Sequence, residues 1–135
     1  MAHFVWTPEY SVSVESFDSE HKKLFTLMNH LHESIQAGTE RSAVIHILRE
    51  LSEFTRSHFE AEEAAMRRAS YAGLEEHIAE HRVATAKVAL YFAEYEAKSR
   101  WVAIDVLEFL RNWLQQHILV ADRKYSTALN SAGIY

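Results

Sequence analysis

Along most of this chain apolar residues recur at intervals of three and four, the period of one face of an α-helix. An arm covering 1–17 comes first, in which Val12 and Val14 give a short, isolated alternation that reads as extended. Leu24, Phe25, Met28, Leu31 and Ile35 then mark a first helix. Asp18 stands where an N-cap belongs, and Gly38 where a helix closes in the left-handed conformation. Val44, Ile45, Leu48, Leu51, Phe54 and Thr55 trace a second helix over about 41–66. Ile78, Ala84, Val88, Tyr91 and Phe92 trace a third over about 74–97. Val106, Phe109, Leu110, Trp113 and Leu114 trace a fourth over about 102–129. The segments 67–73 and 98–101 connect them, and connections this short make consecutive helices antiparallel neighbours. The pattern predicts an all-α fold, an up-down-up-down antiparallel four-helix bundle over 18–129 behind an extended arm.

Composition narrows the picture. A chain of 135 residues makes one domain, 1–135, long enough to bury a core. Three Gly and one Pro favour long, uninterrupted helices. The absence of Cys excludes disulfides, thiolate metal sites and Cys nucleophiles. The N-terminus lacks a basic segment followed by an apolar run, and no stretch approaches the length of a membrane span. A net charge of −5, with both signs interspersed, argues against nucleic acid as a partner. A cytoplasmic monomer is the expectation. Nine His is the anomaly.

Five of those His and two acids form four clusters: His21 alone, His58 with Glu62, His77 with His81, and His117 with Asp122. Residues four apart on a helix share a face, so His58/Glu62 and His77/His81 each aim two donors at one point. The clusters also share a level. A loop near residue 39 separates His21 from His58 almost symmetrically. At about 1.5 Å per residue, both sit about 27–29 Å below that loop. The connection near residue 70 likewise falls almost midway between Glu62 and His77. His81 and His117 are equally far, in sequence, from the loop near residue 99. Scattered histidines would rarely align this way. Asp122 is the exception, because five residues of α-helix place it about 140° from His117. Either the last helix is irregular there, as in a π-type bulge, or the carboxylate approaches from the flank.

Five imidazoles and two carboxylates are too many donors for one ion and suit two. Suppose both carboxylates bridge, together with one oxo or hydroxo group. The five His then divide as three and two, leaving one metal saturated and the other with one open place. Two octahedral iron ions fit this count. A shell without terminal carboxylates stabilises high-valent iron less, which favours reversible binding of a small ligand over oxygen activation.

The chain resembles the bacterial hemerythrins, relatives of the invertebrate non-haem dioxygen carriers. The resemblance rests on Trp6, Pro8 and Tyr10 in the arm, FDSEH ending at His21, HFEAE at His58–Glu62, HIAEH at His77–His81 and HILVAD at His117–Asp122. It implies two iron ions in an oxo- or hydroxo-bridged centre. Of these, one would be held by His77, His81 and His117 and the other, with the open place, by His21 and His58, with Glu62 and Asp122 bridging. It implies dioxygen as the ligand, in storage, transport or delivery to an oxygen-consuming enzyme. It further implies that Leu114, one turn before His117, lines the dioxygen pocket.

The remaining residues read as scaffold. His3, His30, His32 and His46 fit no cluster and belong to the arm or surface. Glu60, Glu63, Glu75, Glu76 and Glu80 lie beside cluster residues but face elsewhere by helical angle, as solvated charge. Trp113 and Leu114 are core, and Trp6 and Tyr10 pack the arm across the bundle. The expected function is a binding protein, not an enzyme. The alternatives are a di-iron oxidase or peroxidase, a nitric-oxide-handling protein, and an oxygen or nitric oxide sensor. No carboxylate-rich ligand pattern favours the oxidase and no output domain favours the sensor. Zinc hydrolysis lacks the glutamate of an HExxH motif.

Overall fold

In a computed structural model of the chain, residues 4–38, 41–97 and 101–135 are described. His3, the loop at 39–40 and most of the expected connection at 98–101 lie outside the described residues. The helices are α1 (Glu15–Gln36), α2 (Arg41–Arg68), α3 (Leu74–Ala97) and α4 (Trp101–Gln116). A π-helical segment, His117–Asp122, continues α4 into α5 (Arg123–Ser131). No strand occurs among the described residues, and α4, the π segment and α5 together make the fourth long helix. The expected four-helix bundle is the observed fold.

The first helix starts three residues earlier than its expected cap. Val14 holds the cap position without a side-chain hydrogen bond, so Asp18 is not the N-cap. Its carboxylate turns back instead, accepting from the Val12 N–H at 2.9 Å and the Ser11 hydroxyl at 2.7 Å. Those bonds fold the arm against the first helical turn, where the negative charge also suits the helix dipole. Gly38 ends α1 as expected: its φ of 67° is left-handed, and its N–H reaches the Ile35 carbonyl at 3.2 Å. Between α2 and α3 the turn is tight, and a Cβ on Gly73 would come within 2.8 Å of the Tyr71 ring.

The arm is strapped to the bundle at several points. Phe4 and Asn29 exchange two hydrogen bonds of 2.8 and 2.9 Å. Tyr10 meets Phe25 edge-on with ring centres 5.2 Å apart, and the Lys22 ammonium lies 4.4 Å over Trp6. Trp6 and Tyr10 therefore pack the arm as the sequence suggests. Val12 and Val14 are both buried, with exposed Ser13 between them. Ser126 Oγ donates to the Val12 carbonyl at 2.6 Å and Asn130 Nδ2 to that of Ser13 at 3.0 Å, fastening the arm to α5.

Apolar residues fill the bundle above and below one polar level. Leu24, Met28, Leu31, Leu48, Leu51, Val106 and Leu110 are buried toward one end. Phe17, Met66, Ile118, Tyr125 and Leu129 are buried toward the other. Between these layers sit seven buried polar side chains. No described helix is long and apolar enough to cross a membrane.

Candidate metal centre

Each of the bundle's long helices contributes to this level. α1 brings His21, α2 brings His58 and Glu62, and α3 brings His77 and His81. The π-helical segment begins at His117 and ends at Asp122. None of the seven is more than 3% exposed, and both carboxylates are fully buried. They form two overlapping sets in which the donor atoms lie within 4.8 Å of one another. One set is Glu62, His77, His81, His117 and Asp122; the other is His21, His58, Glu62 and Asp122. Three histidines lie to one side and two to the other, with both carboxylates shared.

The widened turn explains how Asp122 reaches the site. A π-helix closes its hydrogen bonds over five residues rather than four, so residues five apart come round to one face. His117 Nε2 and Asp122 Oδ1 lie 2.9 Å apart, and His77 Nε2 is also 2.9 Å from that oxygen. On the other side, His21 Nε2 is 3.2 Å from Asp122 Oδ2 and 3.4 Å from Glu62 Oε2. His81 Nε2 is 3.3 Å from Glu62 Oε1, and His58 Nε2 is 3.4 Å from Glu62 Oε2.

Close approach is not hydrogen bonding here. Both ring nitrogens of His21, Nε2 of His77, Oε1 of Glu62 and both oxygens of Asp122 are buried without a hydrogen-bond partner among the described residues. Buried polar atoms left unpaired each cost free energy. A cluster of them aimed at common points has the donor chemistry of a metal site, in which lone pairs meet a cation instead of a proton.

Charge coupling in the metal-free cluster is strong. Burial pulls His58 down, but the Glu62 charge and the hydrogen bond to Glu20 outweigh it and push its pKa from 6.5 up to about 10. His21 is also raised, against burial, by the adjacent Asp122 and Glu62 carboxylates. Burial would raise both carboxylates, yet the surrounding His hold Glu62 and Asp122 well below the usual carboxylate range.

A second layer orients the rings. Glu20 Oε1 lies 2.5 Å from His58 Nδ1, and Glu63 Oε2 lies 2.8 Å from His81 Nδ1. A carboxylate that accepts the Nδ1–H leaves Nε2 with its lone pair facing inward. The Tyr125 hydroxyl, fully buried, donates to Glu62 Oε2 at 2.6 Å. Phe59 stacks on His81 with ring centres 3.9 Å apart, and Trp113 on His117 at 4.2 Å. Leu114, one turn before His117, is buried in the adjoining apolar layer.

One glutamate set aside as solvated charge needs correction. Glu63 is partly buried against His81, because its side chain reaches across from α2 to the outer edge of a ring on α3. Glu80 is exposed, as expected, with Oε1 3.8 Å from His117 Nδ1, too far for a hydrogen bond. Glu60, Glu75 and Glu76 are exposed, as are His30 and His46, while His32 is partly buried. Sequence reasoning missed Glu20, Tyr125 and the stacking role of Phe59. Glu20 did carry a signal, since it precedes His21 directly.

Comparison with known proteins accounts for this arrangement. The hemerythrin HHE cation binding domain matches residues 12–129. The chain is 32% identical to a bacteriohemerythrin of Pseudomonas aeruginosa over 129 residues, covering 96% of this chain and 83% of that protein. It is likewise 32% identical to a bacteriohemerythrin of Methylococcus capsulatus, covering 97% of this chain and all of the relative. A solved wild-type hemerythrin superposes with a TM-score of 0.86 at 30% identity, covering 95% of this chain and 98% of its own.

Proposed function

The chain belongs to the hemerythrin family, and from that premise we propose that it binds dioxygen reversibly at a pair of iron ions, for storage, transport or delivery. The observation that carries this reading is the pair of overlapping donor sets sharing Glu62 and Asp122. In this reading His77, His81 and His117 would hold one iron and His21 and His58 the other, with Glu62 and Asp122 shared between them. The donor chemistry fits: five imidazoles and two carboxylates suit iron, and the unpaired inward atoms gain partners when it binds. The iron pair, once bound, would supply the electrons for reversible dioxygen uptake.

The protein's own residues do the rest. Glu20 and Glu63 accept ring protons from His58 and His81 and so fix their tautomers. Tyr125 steadies Glu62 from the far side. Phe59 and Trp113 shield the rings they stack on, and Leu114 adds an apolar wall that excludes water. The side of His21 and His58 has four donors against five, so the place for a small ligand falls there. Glu20 and Glu63 are engaged with histidine rings, which favours a carrier over a catalyst needing a free acid or base beside its substrate.

Metal analysis of protein made in iron-replete cells tests the premise. Two irons per chain are expected, with azide binding the oxidised form at one per pair, on the side of His21 and His58. One zinc per chain, bound haem, or azide on the side of His77, His81 and His117 would overturn the assignment.

A further inference from the structure

The ring of His117 has an outer nitrogen that the inner cluster does not use. Glu63 accepts the Nδ1–H of His81 at 2.8 Å, which leaves His81 Nε2 as an acceptor. His117 Nε2 lies 3.1 Å from that atom, so Nε2 carries the proton of the His117 ring. Its other near neighbour, Asp122 Oδ1 at 2.9 Å, is also an acceptor. A neutral imidazole has one N–H, so His117 Nδ1 keeps a bare lone pair. That atom is buried and has no hydrogen-bond partner among the described residues.

Glu80 stands opposite it. Its Oε1 is 3.8 Å from His117 Nδ1, a carboxylate facing a lone pair with no proton between them. A second proton on the ring would draw the two into a hydrogen bond, and none forms. Two acceptors opposed in this way repel, and a cation between them turns the repulsion into two attractions. First-row divalent ions bond nitrogen and oxygen at about 2 Å, so one ion between these atoms reaches both. Imidazole with carboxylate is a donor pair suited to iron.

Glu80 also borders a cleft that leads in from solvent. Tyr71, Glu76, Glu80 and Lys124 line it, and the buried His77 forms its floor. Its volume of about 30 Å³ admits one small ion or one water at a time. Glu76 and Glu80, four residues apart, share a face of α3 and are both exposed. Their charges meet in the cleft. Burial, and then the charges of Glu76 and Glu80, push the Tyr71 hydroxyl above its ordinary pKa. Lys124 opposes them, which keeps the hold on a cation weak. A neighbouring cleft between α2 and α3 reaches His81, but there Arg56 and Arg82 balance Glu60 and Glu63. The acidic cleft is the better path for a cation.

We propose, on the iron reading above, that Glu80 and His117 Nδ1, with Glu76 at the mouth, form an outer loading site that takes ferrous iron before it enters the centre. Glu76 draws the hydrated ion to the cleft, and Glu80 and Nδ1 replace part of its water. Transfer inward exchanges two positions on one ring. The ion leaves Nδ1 for the inner side, where Nε2 becomes a ligand, and the ring proton passes from Nε2 to Nδ1. Glu80 then faces an N–H and accepts from it, as Glu63 does from His81. One ion and one proton change sides. The exchange removes the Nδ1 lone pair, so the outer site exists only while His117 is unligated within. Fully loaded protein therefore holds no third ion there.

Anaerobic uptake of ferrous iron by the metal-free full chain tests this, with samples quenched in time by a ferrous chelator. The rate should saturate as iron concentration rises, the mark of an ion bound before it enters. Glu76→Gln combined with Glu80→Gln should slow uptake about tenfold at low iron and make the rate linear in concentration. Final content should stay at two irons per chain. Glu75→Gln combined with Glu94→Gln makes the same charge change at exposed positions outside the cleft and should leave the rate alone. Lys124→Gln should speed uptake. A purely structural role for the acidic pair would show as faster release of iron from loaded protein, whereas Glu76→Gln alone should slow uptake without touching release. A chain that takes up no iron would overturn the iron reading and this proposal together. Two irons taken up at the wild-type rate by the cleft double variant, or equal slowing in the Glu75 and Glu94 control, would overturn this proposal alone.

Discussion

His117 Nε2 and Asp122 Oδ1 lie 2.9 Å apart across a widened helical turn, although an α-helix would separate them by about 140°. The π segment that joins them adds one residue to the turn, and its outer side carries the half-exposed Val120. Deleting Val120 should restore α-helical geometry and set Asp122 four residues after His117, the spacing at which His58 and Glu62 already share a face, so iron content should hold. Inserting one alanine after Val120 should instead rotate Asp122, Tyr125 and Leu129 by about 100° against the core and strip the iron. An insertion variant that retains both irons would show that the register of the turn is dispensable.

Cluster residues should separate cleanly from decoys. Glu62→Ala or Asp122→Ala removes a carboxylate shared by both donor sets and should strip the iron. His30→Ala and His46→Ala change exposed side chains and should leave iron content and the optical spectrum unchanged. Loss of metal from a decoy variant, with Glu62→Ala still loaded, would refute the ligand set.

The metal-free protein should be less stable at alkaline pH. His58 titrates near 6.5 when unfolded and at about 10 in the folded metal-free state. Its contribution is fully present below pH 6.5 and is lost as pH rises through 10. Glu62 and Asp122 are depressed from 4.5 and 3.8, so theirs is present above those values and lost in stronger acid. Thermal unfolding of metal-free protein should therefore be highest between about pH 5 and 6.5 and decline toward pH 9. Iron uptake, which must displace the His58 proton, should strengthen over the same range. A metal-free melting temperature that climbs steadily from about pH 6 to 9 would contradict the charge coupling.

Leu114→Ala should open space beside the centre. Truncating a buried Leu costs about 2–5 kcal/mol, and water admitted there should speed oxidation of the oxygenated form while iron content holds. An unchanged oxidation rate would remove Leu114 from the pocket without touching the metal assignment.

Much of this fold and site is legible in the sequence itself. Helix α3 runs over 74–97 as its periodicity predicts, because its apolar spacing and its short connections agree. The shared level of the seven residues follows from rise per residue and loop positions alone. The start of α1 does not follow, since Asp18 has a second option that only the folded arm offers, the Val12 amide and the Ser11 hydroxyl. Glu63 escapes for a related reason. Helical angle gives the direction a residue leaves its own helix, whereas its contact with His81 depends on the neighbouring helix. Tyr125 carries no polar pattern at all. It reads as one more core aromatic until its hydroxyl is found 2.6 Å from Glu62.

An optical titration of the reduced, iron-loaded protein with dioxygen, followed by removal of the gas, addresses the central claim most directly. The account predicts a spectrum that saturates at one dioxygen per pair of irons and returns to its starting state through repeated cycles, with no dioxygen consumed. Continuous loss of dioxygen with turnover, or no spectral change on its addition, would contradict it.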